Sequence, residues 1–297
     1  MNKTTVDMHP DCVELRSGEF RIAVTTRVGP RVIGAFLGKS PNLFRVMPVA
    51  PLPGVATDFR LYGGHRLWHA PEAMPRTYAP DNRRVKVTEK DGGIEFATPA
   101  EPTSGIEKSI HIEPLGAERF RLTHRLTNRN LWTVELAPWA LSVMAPGGFA
   151  VIPQHHEKPA DPFTPDRALV LWAYSNFDDP RIAYGKDYIL FRQDPKAAAP
   201  CKIGFNAERG WVAYVNQGVA LVKTVEYFAD AEYPDNGCNV ESYSCADFLE
   251  IETLGPLYDL DPGETAEHVE VWTGIAGLPR LRTEADVAKH LEPRLAP

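Results

Sequence analysis

Along most of the chain, apolar and polar residues alternate with a period of two, the spacing of a half-buried strand. In FRIAV, Phe20, Ile22 and Val24 alternate with Arg21 and Ala23. In ERFRLTHRLTN, Phe120, Leu122 and Leu126 share a face with His124. In GVALVKTVEYF, Val219, Leu221, Val225 and Tyr227 share a face with Lys223. Turn signals separate such runs: DGG at 91 to 93, PGG at 146 to 148, DNG at 235 to 237 and DPG at 261 to 263. The clearest helical stretch is TEADVAKHLEPRL near the C-terminus. Thr283 is placed to cap it, with Asp286 three residues later, and Val287 and Leu291 share a face. No strand–helix alternation points to a parallel sheet, and no internal repeat or low-complexity linker interrupts the chain. The pattern predicts one all-β domain spanning residues 1–297 with a short C-terminal helix.

Composition narrows the partners. The 297 residues are 43% hydrophobic, enough for a substantial core. The net charge of -7 and the absence of any long Lys/Arg run exclude the basic stripe of a nucleic-acid binder. The N-terminal segment lacks the apolar core of a signal peptide. No stretch approaches the roughly 20 apolar residues that span a bilayer. A cytoplasmic protein with no membrane partner is expected. Cys12, Cys201, Cys238 and Cys245 form no CxxC pair and read as free thiols.

The densest polar stretch is GGHRLWHAPE, residues 63 to 72. Read as a glycine-entered loop, it offers His65 for proton transfer, the Arg66 fork for hydroxyls or a carboxylate, Trp68 as a flat face for a sugar ring, and Glu72 as an acceptor. The plainer alternative packs Trp68 and pairs Arg66 with Glu72. His65, His69 and Glu72 would suit a metal on a helix, but Pro71 interrupts one. His155 and His156 would point to opposite sides of a strand. Neither a metal ion nor a cofactor is expected.

A second constellation is DFLEIETLGPL, residues 247 to 257. A strand over 248 to 254 places Phe248, Glu250, Glu252 and Leu254 on one face. Unpaired buried carboxylates are costly. This face therefore opens to a cleft or meets cations, for which Arg31, Arg66, Lys202 and Lys223 are candidates. A structural ion-pair network is the alternative. One chain reversal upstream, NVESYS adds Glu241 and Tyr243. Trp139 reads equally as a core aromatic or a sugar platform, and His124 as a core histidine. No nucleophile elbow, zinc motif or phosphate loop is present.

Taken in order, VGPRVIGAF, YGGHRLWHAPE, LTNRN followed by APWALSVMAPGG, and FLEIETLGPL with DPGE resemble a group of bacterial proteins in the galactose mutarotase-like superfamily. The resemblance runs over nearly the whole chain. It implies a β-supersandwich of large antiparallel sheets with a sugar site on the concave face. In the aldose 1-epimerases of that superfamily, a histidine protonates the ring oxygen and a glutamate takes the anomeric proton. That glutamate lies in a segment like LETQ, which IETL matches, so the resemblance implies Glu252 as the base. The family's early sugar-contacting loop matches GGHR, implying His65 and Arg66. The family's mid-chain acid histidine has no counterpart here: LTNRN leads into LAPWALSV, with Trp139 and no histidine. Either His65, His155 or His156 takes that role, or the acid is absent.

Three functions are therefore expected of a small-molecule carbohydrate site. The first is anomer interconversion of the aldose 1-epimerase kind, with Glu252 and His65 catalytic. The second is glycoside hydrolysis or lysis, with Glu72 or Glu241 opposing Glu252, or Tyr243 as base. The third is sugar binding without chemistry. Arg31, Arg66, Trp68, Glu72, Trp139, His156, Lys202, Lys223, Glu241 and Glu250 are the candidate ligand contacts.

Overall fold

A computed structural model of the chain describes residues 1–295 except 53, 56, 156–162 and 164. His156 lies outside the described residues. The period-2 runs form strands Phe20–Val24, Arg119–Asn128 and Val219–Val225. Asp91, Asp235, Asn236, Gly147 and Gly263 take positive φ at the turn signals. The C-terminal helix spans Glu284–His290. Its capping box is complete: the Asp286 amide donates to Thr283 Oγ1 over 3.2 Å, and the Thr283 amide donates to the Asp286 carboxylate over 3.0 Å. No helix among the described residues is long and apolar enough to cross a membrane.

The strands form two large antiparallel sheets. The first runs from an edge at Asn2–Val6 inward through Phe20–Val24, Arg31–Leu37 and Gly64–Ala70. It continues through Val134–Met144, Leu249–Leu254, Val240–Ser244 and Cys201–Phe205 to Leu169–Leu171. At the centre of the second lie Trp211–Asn216, Val219–Val225, Thr265–Ile275 and Arg119–Asn128. The inner faces enclose an apolar core to which both sheets contribute. Phe20 meets Phe120 edge-on at 5.3 Å between ring centroids, and Phe44 meets Trp272 at 5.7 Å.

Within GGHRLWHAPE, Gly64–Ala70 is a buried strand rather than a loop, and Pro71 and Glu72 follow it exposed. Gly63 and Gly64 bring the chain in at φ of 84° and 66°, and a Cβ at either would strike the carbonyls of Arg45 or Val32. Residues Gly64–Ala70 then pair with Arg31–Leu37 on one side and Val134–Met144 on the other. Pairing on both edges satisfies the backbone and imposes the alternation of a strand. Adjacent residues therefore serve opposite faces.

That alternation corrects the expected role of His65. It is fully buried between the sheets, with Nδ1 2.9 Å from Ser142 Oγ and Nε2 2.7 Å from His124 Nε2. Lys223 enters the same layer from the second sheet. It donates to the carbonyls of Ala140 (3.1 Å) and Ile251 (3.4 Å) and pairs with Glu270 at 3.0 Å. Thr253 Oγ1 donates to Glu270 Oε1 over 2.6 Å, and Trp272 Nε1 donates to Oε2 over 2.6 Å. His65, His124 and Glu270 place ligand-type atoms within 4.8 Å of one another. The ammonium on Glu270 and the hydrogen bonds already made fit a satisfied ion-pair network better than a cation site. Lys223 and His65 thus join the two sheets instead of facing a ligand. His124 is the core histidine expected, with a partner.

The electrostatics follow from burial. Burial alone would raise the Glu270 carboxyl, but Lys223 and the three histidines hold it well below the usual carboxylate range. Burial and Lys223 push His65 well below its ordinary value, burial lowers His124, and burial brings His268 down to about 3.

Two outcomes follow for stability. Replacing Lys223 with Met strands a buried carboxylate and should cost about 3–5 kcal/mol in denaturant unfolding. A cost near zero would contradict the network. Each histidine has a folded pKa below its unfolded value, so its contribution is complete above about pH 6.5. It is lost as the pH falls, because only the unfolded chain then takes up the proton. Stability should drop by up to about 1.4 kcal/mol per pH unit per histidine. His268→Gln should therefore lose less stability than the native chain between pH 7 and pH 5, by up to about 1.4 kcal/mol per pH unit; an identical fall in both proteins would contradict this.

Candidate functional site

The opposite, outer face of the first sheet carries the other half of the alternation. Across the central strands Arg66, Leu141, Glu252 and Glu241 lie side by side in register, and Trp68, Trp139 and Leu254 form the next row. Tyr243 lies opposite both Glu250 and Lys202. The reversal between Val240–Ser244 and Leu249–Leu254 thus joins the two acidic segments as expected.

Above these rows is a cleft of about 210 Å³. Its aromatic walls are Trp68, Tyr78, Trp139, Tyr174, Tyr243 and Phe248, and its polar groups are Arg66, Glu72, Lys202 and Glu250. Arg66 Nη1 donates to Glu250 Oε1 over 3.1 Å and lies over the Trp68 ring at 4.2 Å. Lys202 Nζ lies 4.5 Å from the ring centroids of both Trp139 and Trp172. The chain's own cations therefore occupy part of the tryptophan surface. At the rim, the Tyr78 hydroxyl donates to Glu72, so Glu72 pairs with Tyr78 and not with Arg66.

Below the cleft floor, Glu241 and Glu252 face each other directly, an unfavourable pairing of like charges. Lys202 relieves it from the neighbouring strand, with Nζ 2.7 Å from Glu241 and 3.0 Å from Glu252. Trp139 Nε1 donates to Glu252 Oε2 over 2.9 Å. Burial would lower Lys202, but the two carboxylates hold it well above the usual lysine range. One ammonium balances one carboxylate. Burial pushes the Glu241 carboxyl well up against the pull of Lys202, and Glu252 raises it further. The surroundings of Glu241 thus favour its protonated form. Burial also raises Glu250; Arg66 opposes the shift and Glu252 adds to it.

The sequence-predicted residues thus divide into three groups. Arg66, Trp68, Glu72, Trp139, Lys202 and Glu250 meet at one cleft. Glu241 and Glu252 are fully buried beneath it and reach it through Lys202 and Trp139. His65, Lys223 and Arg31 lie elsewhere. Arg31 is fully buried, donating to the carbonyls of Leu61 and Gly63 and pairing with Asp81 at 2.6 Å. His155 pairs with Glu208 at 3.0 Å. Among the described residues, no histidine lines the cleft. Sequence reading missed Tyr78 and Tyr174, which stand outside regular strands with no periodic signal. It also missed Glu270, although HVEVW puts a charge at a buried position of the alternation.

No family model and no curated protein matches this chain. Solved structures do. A galactose mutarotase-like protein from Lactobacillus casei ATCC 334 aligns with a TM-score of 0.58 at 9% identity, covering 89% of this chain and 100% of that one. A galactose mutarotase-like protein from Clostridium acetobutylicum gives 0.53 at 12% identity, covering 93% and 98%. A galactose mutarotase related enzyme from Lactobacillus acidophilus gives 0.54 at 7% identity, covering 92% and 100%. At these identities the likeness is one of fold. The two-sheet architecture is the galactose mutarotase-like β-sandwich. The chain adopts that fold along nearly its whole length.

The charge assignment under the cleft has a direct check. Glu241→Gln puts a neutral group of the same shape where the surroundings favour a protonated carboxyl and should cost less than about 1 kcal/mol of unfolding free energy. Lys202→Met strands Glu252 and should cost about 3–5 kcal/mol. Equal costs for the two variants would refute the placement of the proton.

Proposed function

We propose that this chain takes a sugar ring into the outer-face cleft and interconverts its anomers in the manner of an aldose 1-epimerase. The make-up of the cleft carries this reading: aromatic walls around about 210 Å³, with paired charged groups among them, on a galactose mutarotase-like sheet. Aromatic rings suit the C–H faces of a sugar, and the Arg66–Glu250 pair and Lys202 suit its hydroxyls.

Proton transfer falls to Glu250, in place of the Glu252 and His65 pair implied by the resemblance. Glu250 lines the cleft, and its raised proton affinity suits a group that must both accept and donate near neutral pH. Its carboxylate takes the anomeric proton as the bond from C1 to the ring oxygen breaks. Lys202 stabilises the charge developing on that oxygen. The Glu250 acid then delivers the same proton to it, giving the open-chain aldehyde. Rotation about the C1–C2 bond and the reverse steps yield the other anomer. Glu252 and Glu241 act as positioning residues that hold Lys202.

Proton NMR of an aldose panel tests this. The protein should accelerate exchange between α and β anomeric signals of at least one sugar. Glu250→Gln should slow that exchange by about 10²–10⁴-fold while the sugar still binds. Full activity in the variant would remove Glu250 from the chemistry. Line broadening without faster exchange would leave a binding module, and new reducing-end or unsaturated signals would indicate a hydrolase or lyase.

A further inference from the structure

The segment from Trp172 to Tyr184 carries four aromatic residues that no role above uses in full. Tyr174 lines the cleft, with its ring 6.5 Å from that of Tyr243. Three residues on, Phe177 is 66% exposed and stacks on Tyr184, itself 38% exposed, with ring centroids 5.3 Å apart and planes 12° from parallel. Exposed aromatic surface is unfavourable to maintain in water, and a contiguous patch of it commonly marks a contact site.

The segment is firmly anchored. Ser175 Oγ donates to the carbonyl of Lys202 and accepts from its amide, both at 2.8 Å. Arg181 is buried. It pairs with Asp179 at 2.7 Å and donates to the carbonyls of Ser244 (3.1 Å) and Ala199 (3.0 Å). These anchors lie at the ends of the strands that carry Lys202 and Tyr243, two residues lining the cleft. The Phe177–Tyr184 stack is therefore held on an anchored segment that also lines the cleft, through Tyr174. Three residues of chain limit its distance from Tyr174 to about 11 Å between Cα atoms.

We infer that Phe177 and Tyr184 form a second sugar subsite, so that the ligand is an oligosaccharide whose terminal ring enters the cleft. A stacked aromatic pair offers a flat apolar face and, through Tyr184, a hydroxyl at its edge, the combination that suits a pyranose ring. A free monosaccharide would leave the pair unused. A neutral chain fits better than an anionic one, because Arg66 and Lys202 are already balanced by Glu250 and Glu252. This inference rests on the sugar-site reading proposed above.

The test is calorimetric titration with glucose, maltose and maltotriose, and with cellobiose and cellotriose, on the full chain and on Phe177→Ala. The exposure of Phe177 makes the variant safe for folding. In one series, affinity should rise with length, and Phe177→Ala should lower affinity for the longer sugars about five- to tenfold while leaving glucose unchanged. Affinity independent of length, or a gain that survives Phe177→Ala, would overturn the second subsite and leave the cleft reading intact. Failure of all five sugars, and of every member of the aldose panel above, to bind would overturn both.

Discussion

The buried ion pair of Lys223 and Glu270 sets the geometry of everything else. It lies where the two sheets meet, and it cannot move without leaving a charge unpaired in a water-free layer. Lys223 reaches from the second sheet to backbone carbonyls of two adjacent strands in the first. Thr253 and the His65–His124 contact add further ties across the same gap. Strands pinned this way have one register. A slip of one residue would carry His65 and Thr253 out of the layer and drive Arg66 and Glu252 into it. The outer face inherits its order from this constraint.

On that outer face the same economy of charge recurs at a different depth. Lys202 lies between two carboxylates, and Arg66 is matched to Glu250. Tryptophan rings back both cations. Of the two carboxyls at the cleft, Glu72 meets Tyr78 at the rim, and Glu250 has its proton affinity raised by burial. Sealed charges below and an accessible one above give a floor that stays rigid while its top layer meets a ligand.

Much of this was legible in the sequence. Period-2 alternation marked the strands, and the glycine- and proline-rich turns separated them. Thr283 with Asp286 marked the one substantial helix. The parity of Glu250 and Glu252 placed both on one face, and a single reversal brought Glu241 to them. The same rule, applied to GGHRLWHAPE, would have parted His65 from Arg66. The density of polar residues there suggested a loop, and the buried pairing of both strand edges overrode it. Tyr78 and Tyr174 were not legible at all, since residues outside strands carry no periodicity. Lys202 and Arg66 were among the cations named for the Glu250 and Glu252 face and do pair with it, whereas the pairing of Lys223 with Glu270 depended on contacts between residues far apart in the chain, which no local pattern encodes.

The central claim is that the ligand meets the Arg66 face of the first sheet and not the His65 face. Two indole N–H groups report on these faces separately. Trp139 donates to Glu252 under the cleft, and Trp272 donates to Glu270 between the sheets. Nitrogen–proton correlation spectra of the indole signals during sugar titration would follow both at once. The account predicts that the Trp139 signal moves with a saturable dependence on sugar while the Trp272 signal stays in place. Movement of Trp272 with Trp139 unchanged, or no movement of either with any sugar, would contradict it.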